Sequence, residues 1–293
     1  VAHLLKSAGK DITAFMGGLS TNYNSNLIVN ENLSAETIAV VEADEFDRSF
    51  LTLHPNMAII TSMDADHLDI YGDKNELQNS FKDFIGQVQH DGRLFINEKL
   101  TNEITPQELP VDTNTYGLNQ GQFFAVNLKI ANGFFEFDFC GGGHEINGLS
   151  LSVPGFHNVE NMVAAIAVAL QNDVTPAQIQ SAVASYSGVK RRFEHIIRSE
   201  KVVYIDDYAH HPAEIEAFLN SVKALYPEKK LTAIFQPHLF SRTRDFSDGF
   251  SSSLNIADQV FLMDIYPARE TPIEGVTSEI IAVGMHKSPI RCN

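Results

Sequence analysis

The side chains best equipped for chemistry lie in Val203-Tyr-Ile-Asp-Asp-Tyr-Ala-His-His-Pro212. A run of β-branched and aromatic residues, which predicts a strand, ends there in two carboxylates, a phenol and two imidazoles. An amphipathic run follows at once, with Ile215, Phe218, Leu219, Val222 and Leu225 on one helical face. In open α/β sheets, ligands bind just beyond the carboxyl ends of strands. Asp206, Asp207, Tyr208, His210 and His211 therefore stand where the charged groups of a substrate would be held. The plain alternative is that Asp206 or Asp207 caps the helix, but a cap needs one polar side chain, not five.

Two more acidic turns follow short apolar runs. Thr37-Ile-Ala-Val-Val leads into Glu42-Ala-Asp-Glu-Phe-Asp47, and Asn56-Met-Ala-Ile-Ile-Thr61 leads to Asp64-Ala-Asp-His-Leu-Asp69. If those two buried strands are neighbours, Glu42 and His67 project into one crevice and could share a cation. Asp44, Asp64, Asp66 and Asp69 would then supply water or outer contacts. Carboxylate and water ligands suit Mg²⁺, whereas imidazole ordinarily favours Zn²⁺ or Mn²⁺. The alternative is a set of helix caps and a surface histidine.

Pro154-Gly-Phe-His-Asn-Val-Glu-Asn161 spaces Asn158 and Asn161 three apart on the first turn of a predicted helix. That spacing stacks both amides on one face, at an end suited to polar ligands, although an asparagine there is usually a cap. Arg191 and Arg192 lie beside the expected domain junction, where a guanidinium could reach a phosphate across a cleft or simply be solvated. His238, Ser241, Arg242 and Arg244 follow the strand at 232–235 and suit a carboxylate or phosphate. Gly17-Gly18-Leu19-Ser20-Thr21 reads as a short glycine turn able to approach a phosphate, with Gly18 its candidate substrate contact.

The elements that must position these groups alternate along the chain. Strands are expected at 37–42, 56–61 and 93–97, with a helix at 74–88. Residues 123–140 alternate aromatic and polar types around Ala131-Asn-Gly133, predicting a β-hairpin, and 144–153 one more strand beside it. A helix begins near His157, and Thr175-Pro-Ala-Gln178 combines an N-cap, a first-turn proline and a capping-box Gln. Strands and helices then alternate at 201–205, 213–226, 231–236, 246–256 and 259–264, which signals a parallel, doubly wound sheet. At 293 residues two domains are expected, divided at the basic patch Lys190-Arg191-Arg192.

Hydrophobic content of 44% and charged content of 20% are those of a globular protein with a core. A net charge of −16 argues against a nucleic-acid backbone as main partner. Cys140 and Cys292 lack metal-ligand spacing, and two cysteines so far apart fit a reducing cytoplasm. No apolar run reaches the roughly 18 residues of a membrane span. Val1–Gly9 reads as a helix already under way and Ser288–Asn293 stops without completing a unit, so a fragment is expected.

Together these segments resemble the Mur ligases, ATP-dependent amino-acid ligases of peptidoglycan precursor synthesis. The resemblance is carried by the two acidic turns, Pro154–Asn161, Arg191-Arg-Phe193, Asp206–Pro212 and Gln236–Asp245, in family order over nearly the whole chain. It implies a central ATPase-like α/β domain with a small antiparallel sheet over 1–193. An incomplete, Rossmann-like doubly wound domain over 194–293 would follow. It implies ATP and Mg²⁺, with Glu42 and His67 as metal ligands and Asn158 and Asn161 at the nucleotide base. Arg192 would approach the ATP phosphates and Asp207 the ribose, while His210, His211 and Arg242 would hold substrate carboxylates. Arg192, His210 and His211 are thereby the catalytic candidates.

Within the family the motifs lean towards the member that joins L-alanine to the muramoyl carboxylate of UDP-N-acetylmuramate through an acyl phosphate. Tyr208 and the Asp-Ile-Tyr71 segment carry that preference over a ligase that attaches a whole tripeptide. No protein nucleophile is required by such chemistry, and no nucleic acid or membrane is implied as partner. Two departures stand out. A glycine-rich loop ending in Gly-Lys-Thr, which family members carry upstream of a helix like 1–7, is not in these 293 residues, so they are expected not to ligate alone. Leu239 stands where some members have arginine. On the residues alone, a metal-dependent phosphoesterase using Glu42, Asp66, His67, Asp207 and His210 remains open, as does a non-catalytic nucleotide-binding remnant.

Overall fold

The computed structural model describes residues 1–31, 34–46, 48–63, 71, 73–104, 109, 111–131 and 134–292. They form two compact units, Val1–Lys190 and Arg191–Asn293. No helix among the described residues is long and apolar enough to cross a membrane.

The first unit opens with helix α1 (Ala2–Ser7), which stops at Gly9 with φ +80°. Strand β1 (Ile12–Ser20) pairs antiparallel with β2 (Ser25–Ile28) and parallel with β3 (Ile38–Val41), giving a three-stranded sheet. The glycine turn expected at 17–21 is therefore not a turn at its start: both glycines lie inside β1. The parallel ladder to β3 covers Ile12–Phe15, and pairing with β2 resumes at Ser20↔Ser25 beyond a register shift, so the two glycines continue the strand between these anchored ends. A glycine within a strand marks a close approach.

A second sheet has the order β4 (Met57–Ile60), β5 (Arg93–Asn97), β6 (Asp112–Leu118), β7 (Phe123–Ala131), β8 (Phe134–Gly141), β9 (His144–Leu151). The first four strands run parallel and the last three form an antiparallel meander. The hairpin expected around residues 131–133 is β7–β8, with Ala131 facing Phe134; Asn132 and Gly133 lie outside the described residues. Leu94, Phe95 and Ile96 are fully buried, as a central parallel strand requires.

Helix α2 (Lys74–Gly86), capped by Asp73, adds Phe84 and Ile85 to a core with Phe50, Ile60, Leu94 and Ile96. Helix α3 (Phe156–Gln171) packs on β6 and β7, and ten of its residues are buried. Helix α4 (Pro176–Ser185) has the predicted capping box, Thr175 with Gln178, and packs on β9 and α1.

In the second unit, β10 (Glu194–Arg198) and β11 (Val203–Asp206) form an antiparallel pair. The sequence places residues 201–205 at the head of a parallel series; the structure pairs them with β10, a strand whose exposed side chains give no apolar signal. Helix α5 (Pro212–Leu225) precedes a parallel sheet of β12 (Thr232–Phe235), β13 (Gln259–Met263) and β14 (Ile290–Cys292). The helix expected at 246–256 is α7 (Ser247–Leu254), and a short helix that was not expected, α6 (Phe240–Asp245), precedes it, the two meeting at Phe246. Helices α5, α7 and α8 (Glu279–Val283) bury Ile215, Leu219, Phe250, Leu254 and Ile281 with Phe235, Val260 and Leu262 of the sheet.

Candidate functional site

At the carboxyl end of β3, the Glu42 N–H donates to the Phe15 carbonyl at 2.9 Å. The Glu42 side chain turns back over β1, where Oε2 accepts the Gly17 N–H at 2.7 Å. A Cβ on Gly17 would lie 2.7 Å from Glu42 Oε1, so glycine is what lets the carboxylate rest on the strand. Oε1 remains as an exposed hard donor, which fits Mg²⁺. His67, with Asp64, Asp66 and Asp69, lies outside the described residues. β3 and β4 belong to separate hydrogen-bonded sheets, so the condition set for Glu42 and His67 to converge is not met by direct pairing of those strands. Among the described residues no three His, Cys, Asp or Glu side chains cluster as a metal site.

Gly18, one residue on, faces Val189: a Cβ there would lie 2.4 Å from Val189 Cγ1. The end of β1 is clamped to that segment by Thr21 N–H to Gly188 O and Lys190 N–H to Leu19 O, each 2.9 Å.

The turn before α3 is set by Gly155, whose φ of +123° and closeness to the His157 ring leave no room for a side chain. Asn158 Nδ2 donates to the Pro154 carbonyl at 2.6 Å, closing the entry turn. Asn161 is exposed, and its amide makes no hydrogen bond among the described residues. Asn158 is thus partly a cap, as the plain alternative held, and Asn161 is the freer of the two.

In the second unit, neither Asp206 nor Asp207 caps α5. His211 is the N-cap, its Nδ1 3.4 Å from the Ala213 N–H. The Glu214 carboxylate completes the cap by accepting the N–H groups of His210 at 2.9 Å and His211 at 3.2 Å. Burial works against the Glu214 charge, but these donors, His210 and Arg192 hold its carboxyl below the usual range.

Asp207 instead accepts Phe193 N–H at 2.7 Å and Ala209 N–H at 2.8 Å. Burial raises its pKa despite those two bonds. Phe193, buried and with φ +52°, is thereby held in a left-handed conformation that few bulky residues adopt.

Arg191 and Arg192 flank the Tyr208 ring, with guanidinium carbons 5.0 and 5.7 Å from its centroid. Arg192 also pairs with Glu214 at 3.4 Å and Arg191 with Asp206 at 3.6 Å. His210 Nδ1 lies 2.9 Å from the Tyr208 carbonyl. A carbonyl only accepts, so Nδ1 carries a proton. His211 packs edge-on against Phe246 at 4.8 Å.

Beyond β12, His238 stacks on Tyr266 at 5.6 Å. Burial lowers the His238 pKa, and the nearby charges of Arg242, His210 and Arg269 lower it further. His210, His238, Arg242 and Arg269 thus crowd together at the carboxyl ends of β11, β12 and β13. Arg242 is 9% exposed, and Glu270 anchors its helix by accepting Ser241 N–H at 3.0 Å and Ser241 Oγ–H at 2.5 Å. Tyr266, Arg269, Glu270 and Glu214 are additions that the sequence reading missed. The first three follow β13 as His238 follows β12, so the same strand-end rule would have found them.

Such a cluster suits anionic substrates, and comparison with known proteins identifies the frame around it. The family model of the Mur ligase middle domain matches residues 1–169, and that of the Mur ligase, glutamate ligase domain matches residues 191–291. The chain belongs to the Mur ligase family. Among curated Mur ligases, the UDP-N-acetylmuramate–L-alanine ligase of Christiangramia forsetii is 49% identical over 279 residues, covering 95% of this chain and 59% of that protein. The same-named protein of Flavobacterium psychrophilum is 50% identical over 279 residues, with the same coverage. The chain thus spans about three-fifths of the length of these relatives. Among solved structures, the Thermotoga maritima UDP-N-acetylmuramate-alanine ligase MurC aligns with a TM-score of 0.77 at 26% identity, covering 99% of this chain and 62% of its own. The MurF ligase of the same organism, in complex with ADP, aligns at 0.72 with 18% identity, covering 99% and 65%. That second likeness shows the fold alone.

Proposed function

We propose that this chain forms the middle and C-terminal parts of an ATP-dependent ligase joining L-alanine to the muramoyl carboxylate of UDP-N-acetylmuramate, in peptidoglycan precursor synthesis. The observation that carries the reading is the crowding of His210, His238, Arg242 and Arg269 at three strand ends. It occurs in a chain half identical to proteins named for that reaction. Two carboxylates meet in this reaction, one on each substrate, and a buried arginine gives planar, bidentate recognition of such a group.

In this reading the muramoyl carboxylate attacks the γ-phosphorus of ATP, releasing ADP and leaving an acyl phosphate. The alanine amine then attacks the acyl carbon, and the tetrahedral intermediate expels phosphate. Catalysis is positioning and charge neutralisation. Arg192, between Glu214 and the Tyr208 ring, would meet phosphate oxygens. Asn158 and Asn161 would take the base and Asp207 the ribose, while His210, His211 and Arg242 would hold the carboxylates, with Gly18 as a backbone contact. Glu42 would hold Mg²⁺ with His67, and the bound ion supplies neutralisation of the transferring phosphoryl group.

The test joins this chain to the portion of the Christiangramia forsetii relative that lies outside its match and follows ADP release. ADP formation requiring both UDP-N-acetylmuramate and L-alanine is expected, with the tripeptide a poor competitor. Phosphate release without any amine, supported by Zn²⁺ or Mn²⁺, would replace the ligase with a phosphoesterase. Preference for the tripeptide would move the chain to the recycling reaction.

A further inference from the structure

Two adjacent residues after β11 hold both peptide planes that flank Arg192. The Arg191 carbonyl, in the plane before Arg192, accepts the Tyr208 N–H at 2.7 Å. The Phe193 N–H, in the plane after it, donates to Asp207 Oδ2 at 2.7 Å. Peptide units are planar, so holding both fixes φ and ψ of Arg192 and with them the direction of its Cα–Cβ bond. The second Asp207 oxygen accepts Ala209 N–H at 2.8 Å, which ties the carboxylate to its own loop.

The backbone held in this way is not one the chain adopts unaided. Arg191 and Phe193, on either side of Arg192, have φ of +60° and +52°, and such conformations persist only where the surroundings over-determine them. Other contacts of the segment act elsewhere. Glu194 Oε2 accepts Arg191 N–H at 2.8 Å, and the buried Phe193 ring packs on Phe218 at 5.1 Å. The Arg192 head pairs with Glu214 at 3.4 Å while half of its side chain stays exposed, and exposed pairs hold a side chain weakly. Among the described residues, Asp207 is the only side chain bonded to the plane between Arg192 and Phe193. We propose that Asp207 is a positioning residue: it fixes the backbone at Arg192 so that the guanidinium leaves the chain towards the phosphates. The proposal rests on the reading of Arg192 as a phosphate contact, and it gives Asp207 a task that needs no ribose. A misplacement of about 1 Å at such a group can cost about a hundredfold.

The test uses the 293-residue chain with Asp207→Ala, Asp207→Asn, Arg192→Met and the double variant Arg192→Met/Asp207→Ala. Calorimetry follows Mg²⁺-tripolyphosphate, which has neither ribose nor base, and Mg²⁺-ADP beside it, with the thermal midpoint of the second unit. Expected is about tenfold weaker tripolyphosphate binding for Asp207→Ala and for Arg192→Met, with the double variant no weaker than either. Asp207→Asn, which keeps one acceptor oxygen, should lie between. Normal tripolyphosphate binding by Asp207→Ala overturns the proposal, and weakened ADP binding beside it would leave Asp207 a ribose contact only. Losses that multiply in the double variant, or that merely follow a lowered midpoint, overturn it as well. If Arg192→Met binds tripolyphosphate as the unaltered chain does, or neither binds it, the phosphate reading of Arg192 falls. The positioning role is then decided by the rate at which phenylglyoxal modifies Arg192, read by mass spectrometry: a rate changed by Asp207→Ala supports it and an unchanged rate refutes it.

Discussion

Replacing Gly18 by alanine tests whether its lack of a side chain serves packing or a ligand. The new Cβ would lie 2.4 Å from Val189 Cγ1, where carbon atoms rest at about 3.5–4.0 Å, so a gap of more than about 1 Å must open. The backbone cannot easily yield, because residues 188–190 are tied to β1 by two 2.9 Å hydrogen bonds. Valine is stiff at χ1, so its side chain cannot simply rotate aside. Overpacking of this kind costs about 1–3 kcal/mol, and alanine in place of glycine returns roughly 0.5–1 kcal/mol by restricting the unfolded chain. Gly18→Ala should therefore lose about 1–2 kcal/mol. Val189→Ala, at a half-buried site, should lose about 1 kcal/mol. The double variant should lose less than their sum by about 1 kcal/mol or more, within the range seen for touching residues. The chain has no tryptophan, so denaturant unfolding is followed by circular dichroism, with hydrogen exchange of residues 12–20 assigning the transition to the first unit. Additive losses, or a stabilised Gly18→Ala, would refute the packing argument and return Gly18 to a ligand approaching the backbone.

Gly17→Ala drives its Cβ against the end of a flexible carboxylate, not against backbone. The fold should survive within about 1 kcal/mol while Mn²⁺ binding, read by water-proton relaxation, weakens about tenfold; retained affinity would remove Glu42 from the metal site. Burial lowers the His3 pKa below its ordinary 6.5, against the opposing effect of the Ala182 carbonyl bonded to its ring at 3.1 Å. The unfolded chain then binds the proton more tightly, so this stabilisation is complete above pH 6.5 and falls away as pH drops through the folded pKa. His3→Gln should flatten the pH dependence of first-unit stability below 6.5, and an unaltered slope would exclude His3 as its source. Glu214→Ala strips the acceptor from two N–H groups at the start of α5 and should cost the second unit about 1–2 kcal/mol. An unchanged unfolding midpoint for that unit would show the cap to be idle.

Elements with a strong period or terminal chemistry were legible in the sequence. Arg93–Asn97 is a short apolar run that ends where the strand ends, and Thr175-Pro-Ala-Gln178 encodes a cap that forms as written. The β7–β8 hairpin follows from its alternation and turn. What escaped were strands whose pairing depends on distant partners. β1 contains two adjacent glycines, so local chemistry argues for a turn while Glu42 and Val189, far along the chain, require the absence of Cβ atoms. β10 exposes Ile196 and Ile197 and offers no buried face to reveal it. At the candidate site, the polar residues after β11 and β12 were visible from their position. The division of labour among them was not: that His211 and Glu214 cap while Asp207 holds Phe193 depends on backbone N–H groups whose directions no sequence period reports.

The burial of α3 also bears on how this chain comes together. A helix apolar around most of its circumference has no favourable state in water, so it must dock as it forms. The strands it packs on, β6 and β7, lie shortly before it in the chain, with only β8 and β9 between. Short loops of this kind close at small entropic cost. Residues 112–171 can therefore collapse as one local block during synthesis. On that order of assembly, the wall bearing Asn158 and Asn161 is laid down before any residue of the second unit has left the ribosome.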